Sequence, residues 1–166
     1  MNSKQIDTIL RGELGSTFLG VFARDKIPHH FPPRFAMVVN TDPAKRPGEH
    51  WVAFYVENGE GEYFDSYGLP PPRDLEIVLD RCCFHYAYNK YQLQDLWTFV
   101  CGQFCVYYLY HRNQGERLGS IVDRLRKYGE KNDCIVETFV AQKWGCTEKG
   151  EGQTCRCLGK RVKKNA

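Results

Sequence analysis

Val100-Cys101-Gly102-Gln103-Phe104-Cys105 opens an apolar run that continues to Leu109. Within it Cys101, Phe104, Cys105, Tyr108 and Leu109 recur at i, i+3, i+4, i+7 and i+8, which is one face of an α-helix. A helix starting here carries Cys101 in its first turn and points into a core. The free N–H groups and positive dipole end of such a terminus favour a thiolate over a thiol. Gly102 removes a side chain where a substrate backbone would approach. A cysteine that is simply one more buried apolar residue shows the same local pattern. The reading of Cys101 as a nucleophile therefore rests on what the remaining chain brings to it.

With 166 residues the chain is long enough for one sizeable core and too short for two ordinary domains. Its 42% hydrophobic and 26% charged residues are those of a soluble globular protein. A net charge of +3 is too small to argue for nucleic-acid binding by itself, but the tail Lys160-Arg161-Val162-Lys163-Lys164 concentrates it. There is no transmembrane run, and Met1-Asn2-Ser3-Lys4-Gln5 lacks the apolar stretch of a secretory signal. Eight irregularly spaced cysteines without a signal fit an intracellular protein with mostly reduced thiols.

Residues 3–11 read as a short helix capped by Ser3, with Ile6, Ile9 and Leu10 as its stripe and Gly12 and Gly15 at its end. Phe18-Leu19-Gly20-Val21-Phe22 enters a proline-rich stretch expected to be irregular extended chain. Phe35 to Asn40 is a continuous apolar run, the pattern of a strand covered on both faces. Thr41 to Glu49 is a loop. Beyond the hairpin discussed next, Arg73–Cys83, Arg117–Tyr128 and Asp133–Trp144 have helical periodicity, and Phe84–Tyr91 reads as a further strand. The protein is expected to form one domain over 1–145, followed by a basic Cys/Gly/Lys-rich tail over 146–166.

Trp51–Val56 and Glu62–Asp65 flank Glu57-Asn58-Gly59-Glu60, and Asn-Gly between two such strands signals a hairpin. A two-residue turn pairs Glu57 with Glu60 and brings Asp65 opposite Val52. His50, two residues before Val52, then lies on the same face and diagonal to Asp65. Diagonal neighbours are about 7–8 Å apart at the backbone, within reach of an imidazole and a carboxylate. A three-residue loop would reverse the parity and separate them.

A thiol peptidase needs a thiolate, a histidine sharing its proton, a group orienting that histidine, and oxyanion donors. The chain offers His50, Asp65, Gln94 and Cys101, in that order. His50-Trp51, Phe64-Asp65-Ser66-Tyr67-Gly68, Gln94 and Cys101-Gly102-Gln103-Phe104-Cys105 resemble the pattern of adenovirus-type cysteine proteases, the adenain family. That family also places a glutamine seven residues before its nucleophile, as Gln94 stands to Cys101. Phe18-Leu19-Gly20 is similar too, and the resemblance covers roughly residues 5–125. Val39-Asn40-Thr41-Asp42-Pro43 with Gly48-Glu49-His50-Trp51-Val52-Ala53-Phe54-Tyr55 looks especially like the proteases of Polinton/Maverick elements, which are virus-like DNA transposons.

The resemblance implies an α+β, papain-like fold. Its helical part, bearing Cys101, would pack on a mostly antiparallel sheet bearing His50 and Asp65. It implies Cys101 as nucleophile, His50 as general base and later acid, Asp65 as the orienter of His50, and Gln94 as oxyanion donor beside the Cys101 N–H. Asp65 departs from adenain, which has glutamate there, while cellular relatives use aspartate. Gln92 is an alternative donor if the register differs by two. Trp51 and Gly102 would line a narrow cleft. His29, His30, His85 and His111 lack placed partners and are read as non-catalytic.

The implied activity is cleavage of Gly-containing sites in capsid or other virion precursors of a DNA virus or virus-like transposon, in the nucleus or virion. The alternative is a deconjugase for SUMO- or NEDD8-type modifiers. An inactive relative or a nucleic-acid-binding module would lack one of the four groups, and none is missing. The residues call for no cofactor and no metal, since Cys146, Cys155 and Cys157 match no common zinc spacing. By resemblance, DNA and a short peptide that forms a disulfide are candidate activators, with Lys160, Arg161, Lys163 and Lys164 as the DNA contact and Cys82 or Cys83 as the disulfide partner. The expected enzyme is a monomer with no membrane association.

Overall fold

The structure, a computed structural model, describes residues 1–145. Five strands, β1 (Phe18–Ala23), β2 (Arg34–Asn40), β3 (Trp51–Glu57), β4 (Glu60–Phe64) and β5 (His85–Tyr88), form one sheet in the order β1-β2-β3-β4-β5. Five α-helices accompany it: α1 (Ser3–Leu14), α2 (Arg73–Cys82), α3 (Cys101–Asn113), α4 (Leu118–Tyr128) and α5 (Asn132–Trp144). The sheet is antiparallel across β2, β3 and β4 and parallel at both edges, where β1 joins β2 and β5 joins β4. The mostly antiparallel expectation thus describes its centre.

The β3–β4 hairpin turns in two residues. Glu57 pairs with Glu60, while Asn58 and Gly59 take φ of 52° and 84°. Both central residues at positive φ make the turn that follows strand twist, and only Asn, Asp or Gly adopt it readily. Ala53 pairs with Phe64, so one further step brings Asp65 across from Val52.

Side chains alternate between two cores, one on each face of the sheet. Phe35, Met37, Val39, Val52, Phe54 and Val56 meet Leu75, Val78 and Leu79 of α2. Ala36, Val38, Ala53, Tyr55 and Phe64 meet α1, α3, α4 and α5 on the other face. This double covering explains why β2 reads as an uninterrupted apolar run.

The helix α3 is more central than a one-faced pattern implies. Every residue from Cys101 to Leu109 is buried, as expected of a helix enclosed by a sheet and three other helices. Phe104 is fully buried in this core, and the Phe64 ring stacks on Tyr108 at 4.6 Å. Phe104→Ala is expected to cost about 3–5 kcal/mol, seen as a lower urea midpoint. A loss below 1 kcal/mol would show that α3 is not the core element described here.

Three local expectations are corrected. The cap of α1 is Asn2, which accepts from the Gln5 N–H at 2.9 Å while Gln5 reciprocates, so Ser3 is already helical. Gly12 lies inside α1, and Gly15 ends it. Phe18–Ala23 is a strand, although the proline-rich sequence after it suggested irregular chain. Its partner is β2, and that pairing leaves no local periodicity. Tail residues 146–166, with the basic cluster and Cys146, Cys155 and Cys157, lie outside the described residues. No helix among the described residues is long and apolar enough to cross a membrane.

Candidate active site

The hairpin register, the start of α3 and the chain leading into it converge on one corner of the sheet. The imidazole of His50, immediately before β3, has Nε2 2.7 Å from Oδ1 of Asp65, immediately after β4. The same ring lies beside the thiol of Cys101, the first residue of α3, close enough for each to shift the ionisation of the other. The Tyr67 ring stacks on the His50 imidazole, with ring centroids 4.7 Å apart and planes inclined by 25°. The structure thereby brings together His50, Asp65 and Cys101, which are separated by up to 51 positions in the chain.

The electrostatics favour an ion pair. For His50, burial is the largest influence and opposes the charged form. Hydrogen bonds and charge from Asp65 and Cys101 outweigh it and raise the imidazole to about 9. For Cys101, burial again comes first and opposes the thiolate. It is overcome by the His50 hydrogen bond and charge, then by the backbone N–H groups of Trp51 and Gly102, so the thiol falls below its ordinary value of 9.0. Both shifts favour the charged forms, a thiolate beside an imidazolium. Cys105, one turn further on and fully buried, moves the opposite way because burial has no such partner to oppose it.

The sign of the pH dependence follows. The raised His50 value means that its charge stabilises the fold fully below the ordinary value of 6.5, and that this contribution is lost as pH rises through about 9. The lowered Cys101 value means that its thiolate contributes fully above 9.0 and loses this as pH falls through the folded value. An NMR titration of the His50 ring should show a midpoint near 9. In Asp65→Asn, which removes the neighbouring charge, the midpoint should drop by about one unit or more. An unchanged midpoint would mean that Asp65 does not hold the imidazolium.

Gln94, 1% exposed, lies in the loop before α3. Its Oε1 accepts from the Ser66 hydroxyl at 2.7 Å, and its Nε2 donates to the Thr98 carbonyl at 2.9 Å. Gln92, the alternative, is exposed and donates its amide to the Gln94 carbonyl at 3.0 Å. At the start of α3 the first helical bond runs from Phe104 N–H to Val100 carbonyl, so the N–H groups of Cys101, Gly102 and Gln103 precede the intrahelical ladder.

Trp51 and Gly102 touch each other rather than only facing a cleft. A Cβ on Gly102 would lie 3.1 Å from Ile6 Cδ1, 3.2 Å from Met1 Cβ and 3.5 Å from Trp51 Cδ1. Close packing of α1 on α3 is thus a sufficient reason for glycine at 102. Trp51 is half-buried against the same core, and its backbone N–H faces the sulfur.

Several residues of this corner escaped the sequence. Asn89 grips Asp65 from both sides, accepting from its N–H at 2.9 Å and donating to its carbonyl at 2.6 Å. The Thr98 hydroxyl donates to Asp133 of α5 at 2.7 Å. Ser66 and Tyr67 carried one signal, their adjacency to Asp65, while Asn89, Thr98 and Asp133 carried none. Among the described residues no group of three or more His, Cys, Asp and Glu is placed to hold a metal ion. His29, His85 and His111 lie away from this corner, with His29 against Arg81 and His111 paired to Glu116.

No family model matches this chain. Over 111 residues it is 30% identical to the "Putative thiol protease R355" of Acanthamoeba polyphaga mimivirus, a match covering 60% of this chain and 36% of that protein. The chain thus spans little more than a third of the length of that curated relative. Among solved structures, the ASFV pS273R protease superposes with a TM-score of 0.57 at 17% identity, covering 76% of this chain and 64% of that one. A selenomethionine form of the same protease aligns with a TM-score of 0.46 at 22% identity, covering 60% and 43%. The likeness to the first of these structures shows a shared fold, the α+β papain-like one.

Proposed function

We propose that this protein is a cysteine endopeptidase of viral type in which Cys101 is the nucleophile. The observation that carries this reading is the single imidazole of His50, bonded to Asp65 at 2.7 Å and placed beside the Cys101 thiol. The relation to a mimivirus protein named as a thiol protease supports the same reaction class.

In the proposed reaction the Cys101 thiolate attacks the scissile carbonyl carbon, and the carbonyl π electrons move to oxygen. The oxyanion is received by the Cys101 N–H and the Gln94 side-chain amide. The His50 imidazolium then gives its proton to the leaving amine as the C–N bond breaks, leaving a thioester on Cys101. Neutral His50 next takes a proton from water, whose oxygen attacks the thioester, and the acid product departs as the thiolate re-forms. Asp65 holds the imidazole ring and stabilises its charged form throughout.

The substrates are proposed to be capsid or other virion precursor proteins cut at Gly-containing sites, in the nucleus or virion. Leu96, Trp97 and Phe99, all largely exposed between Gln94 and Cys101, offer apolar contacts to a polypeptide beside the nucleophile. DNA contact through Lys160, Arg161, Lys163 and Lys164 belongs to this proposal and involves residues beyond those described. The test is cleavage of Gly-Gly-containing precursor peptides, with and without DNA, against SUMO and NEDD8 fusions, read by mass spectrometry. Cleavage of the precursors alone is expected. Preference for the fusions would replace the substrate assignment, and cleavage of neither would remove it.

A further inference from the structure

The dipeptide Asp65-Ser66 reaches both halves of the site. Asp65 faces His50, while Ser66 meets the Leu93-Gln94 segment through three bonds. Its hydroxyl donates to Gln94 Oε1 at 2.7 Å, and its carbonyl accepts from Leu93 N–H at 2.8 Å and Gln94 N–H at 3.0 Å. Ser66 is 1% exposed, so water does not replace these bonds.

The direction of the Gln94 amide follows from its partners. The Thr98 carbonyl can only accept, so the atom 2.9 Å from it must be Nε2. Oε1 then accepts the Ser66 proton. One hydrogen of Nε2 is taken by the Thr98 carbonyl, and the second reaches the Tyr67 hydroxyl at 3.4 Å, a long bond that an oxyanion can replace. An amide turned by 180° would set Oε1 against the Thr98 carbonyl and present an acceptor where a donor is needed. Thr98 is itself held by its hydroxyl bond to Asp133 at 2.7 Å.

We infer that Ser66 is a positioning residue that fixes the polarity of the Gln94 amide, so that an N–H and not a carbonyl faces the oxyanion. This rests on the peptidase reading of the site. It makes one turn after β4 responsible for aligning the general base through Asp65 and the oxyanion donor through Ser66.

The test separates oxyanion chemistry from thiolate chemistry in the same protein. Acylation by p-nitrophenyl acetate forms an oxyanion, whereas alkylation by iodoacetamide displaces iodide at carbon and forms none. Ser66→Ala is expected to slow the acylation burst by about tenfold or more, since losing a whole oxyanion donor costs about 10²–10³. Alkylation of Cys101 should keep its wild-type rate, which also reports that the site is folded. Because Ser66 acts through Gln94, Ser66→Ala in a Gln94→Ala background should slow acylation no further. A parallel fall in alkylation, full additivity with Gln94→Ala, or an unchanged burst would each overturn the inference. A wild-type protein alkylated fast at Cys101 but not acylated would overturn it alone. A wild type showing neither reaction would overturn the peptidase reading and this inference with it.

Discussion

Cys101→Ala is expected to lower peptide cleavage by about 10⁴ or more, below detection in an ordinary turnover assay. Neither Cys105 nor the cysteine pair at the end of α2 offers a substitute thiolate. Cys105 is fully buried with its thiol held protonated, and Cys82 and Cys83 lie at the far end of α2, with thiols that burial also keeps protonated. The substitution removes only one heavy atom and leaves the His50–Asp65 bond in place, so the fold should persist. Cys101→Ser is a sharper version of the same test. The hydroxyl preserves the shape, but alone it does not ionise at neutral pH, so the imidazolium–thiolate pair cannot form. Its rate should fall by at least about 10³. Turnover of a precursor peptide by purified variants, with circular dichroism as the control for folding, decides both. Full activity in Cys101→Ala would remove the mechanism.

His50→Ala is expected to lower the turnover of an amide substrate by about 10⁴ or more, the scale on which triad members act. Two functions vanish together. The thiol loses the partner that, after burial, dominates its ionisation, and the leaving amine loses its proton donor. The two losses are separable. Raising the pH restores thiolate to the variant, and with it alkylation, but supplies no acid for the amine, so amide cleavage should stay low. Steady-state cleavage and alkylation rates measured between pH 6 and pH 10, a range of about four decades in proton activity, check this. Recovery of amide cleavage at alkaline pH would show that His50 acts only as a charge near sulfur.

Much of this corner was legible in the residues because its geometry is local. Asn58-Gly59 admits few turns, and the two-residue turn sets the register that brings Asp65 across from Val52, two residues from His50. The start of α3 was legible from the spacing of Cys101, Phe104 and Cys105. What stayed hidden depends on contacts between distant segments. Asn89 holds Asp65, the partner of His50, across 24 positions with no periodic signature. The strand β1 was hidden because its order comes from hydrogen bonding to β2, and a proline-rich neighbour outweighed its five apolar residues in the local reading. The parallel edges arise the same way, from connections that close through space. Gly102 was legible as a close approach, and the groups that approach it in the structure are Ile6, Met1 and Trp51.

The account stands on an activated thiolate at Cys101, and selective alkylation measures that directly. Iodoacetamide in limiting amount, followed by peptide mass mapping, reports which of the eight cysteines reacts first. Fast labelling confined to Cys101 is expected at pH values below the ordinary thiol range, and its loss in His50→Ala. Slow labelling spread over the more exposed cysteines, indifferent to His50, would contradict it.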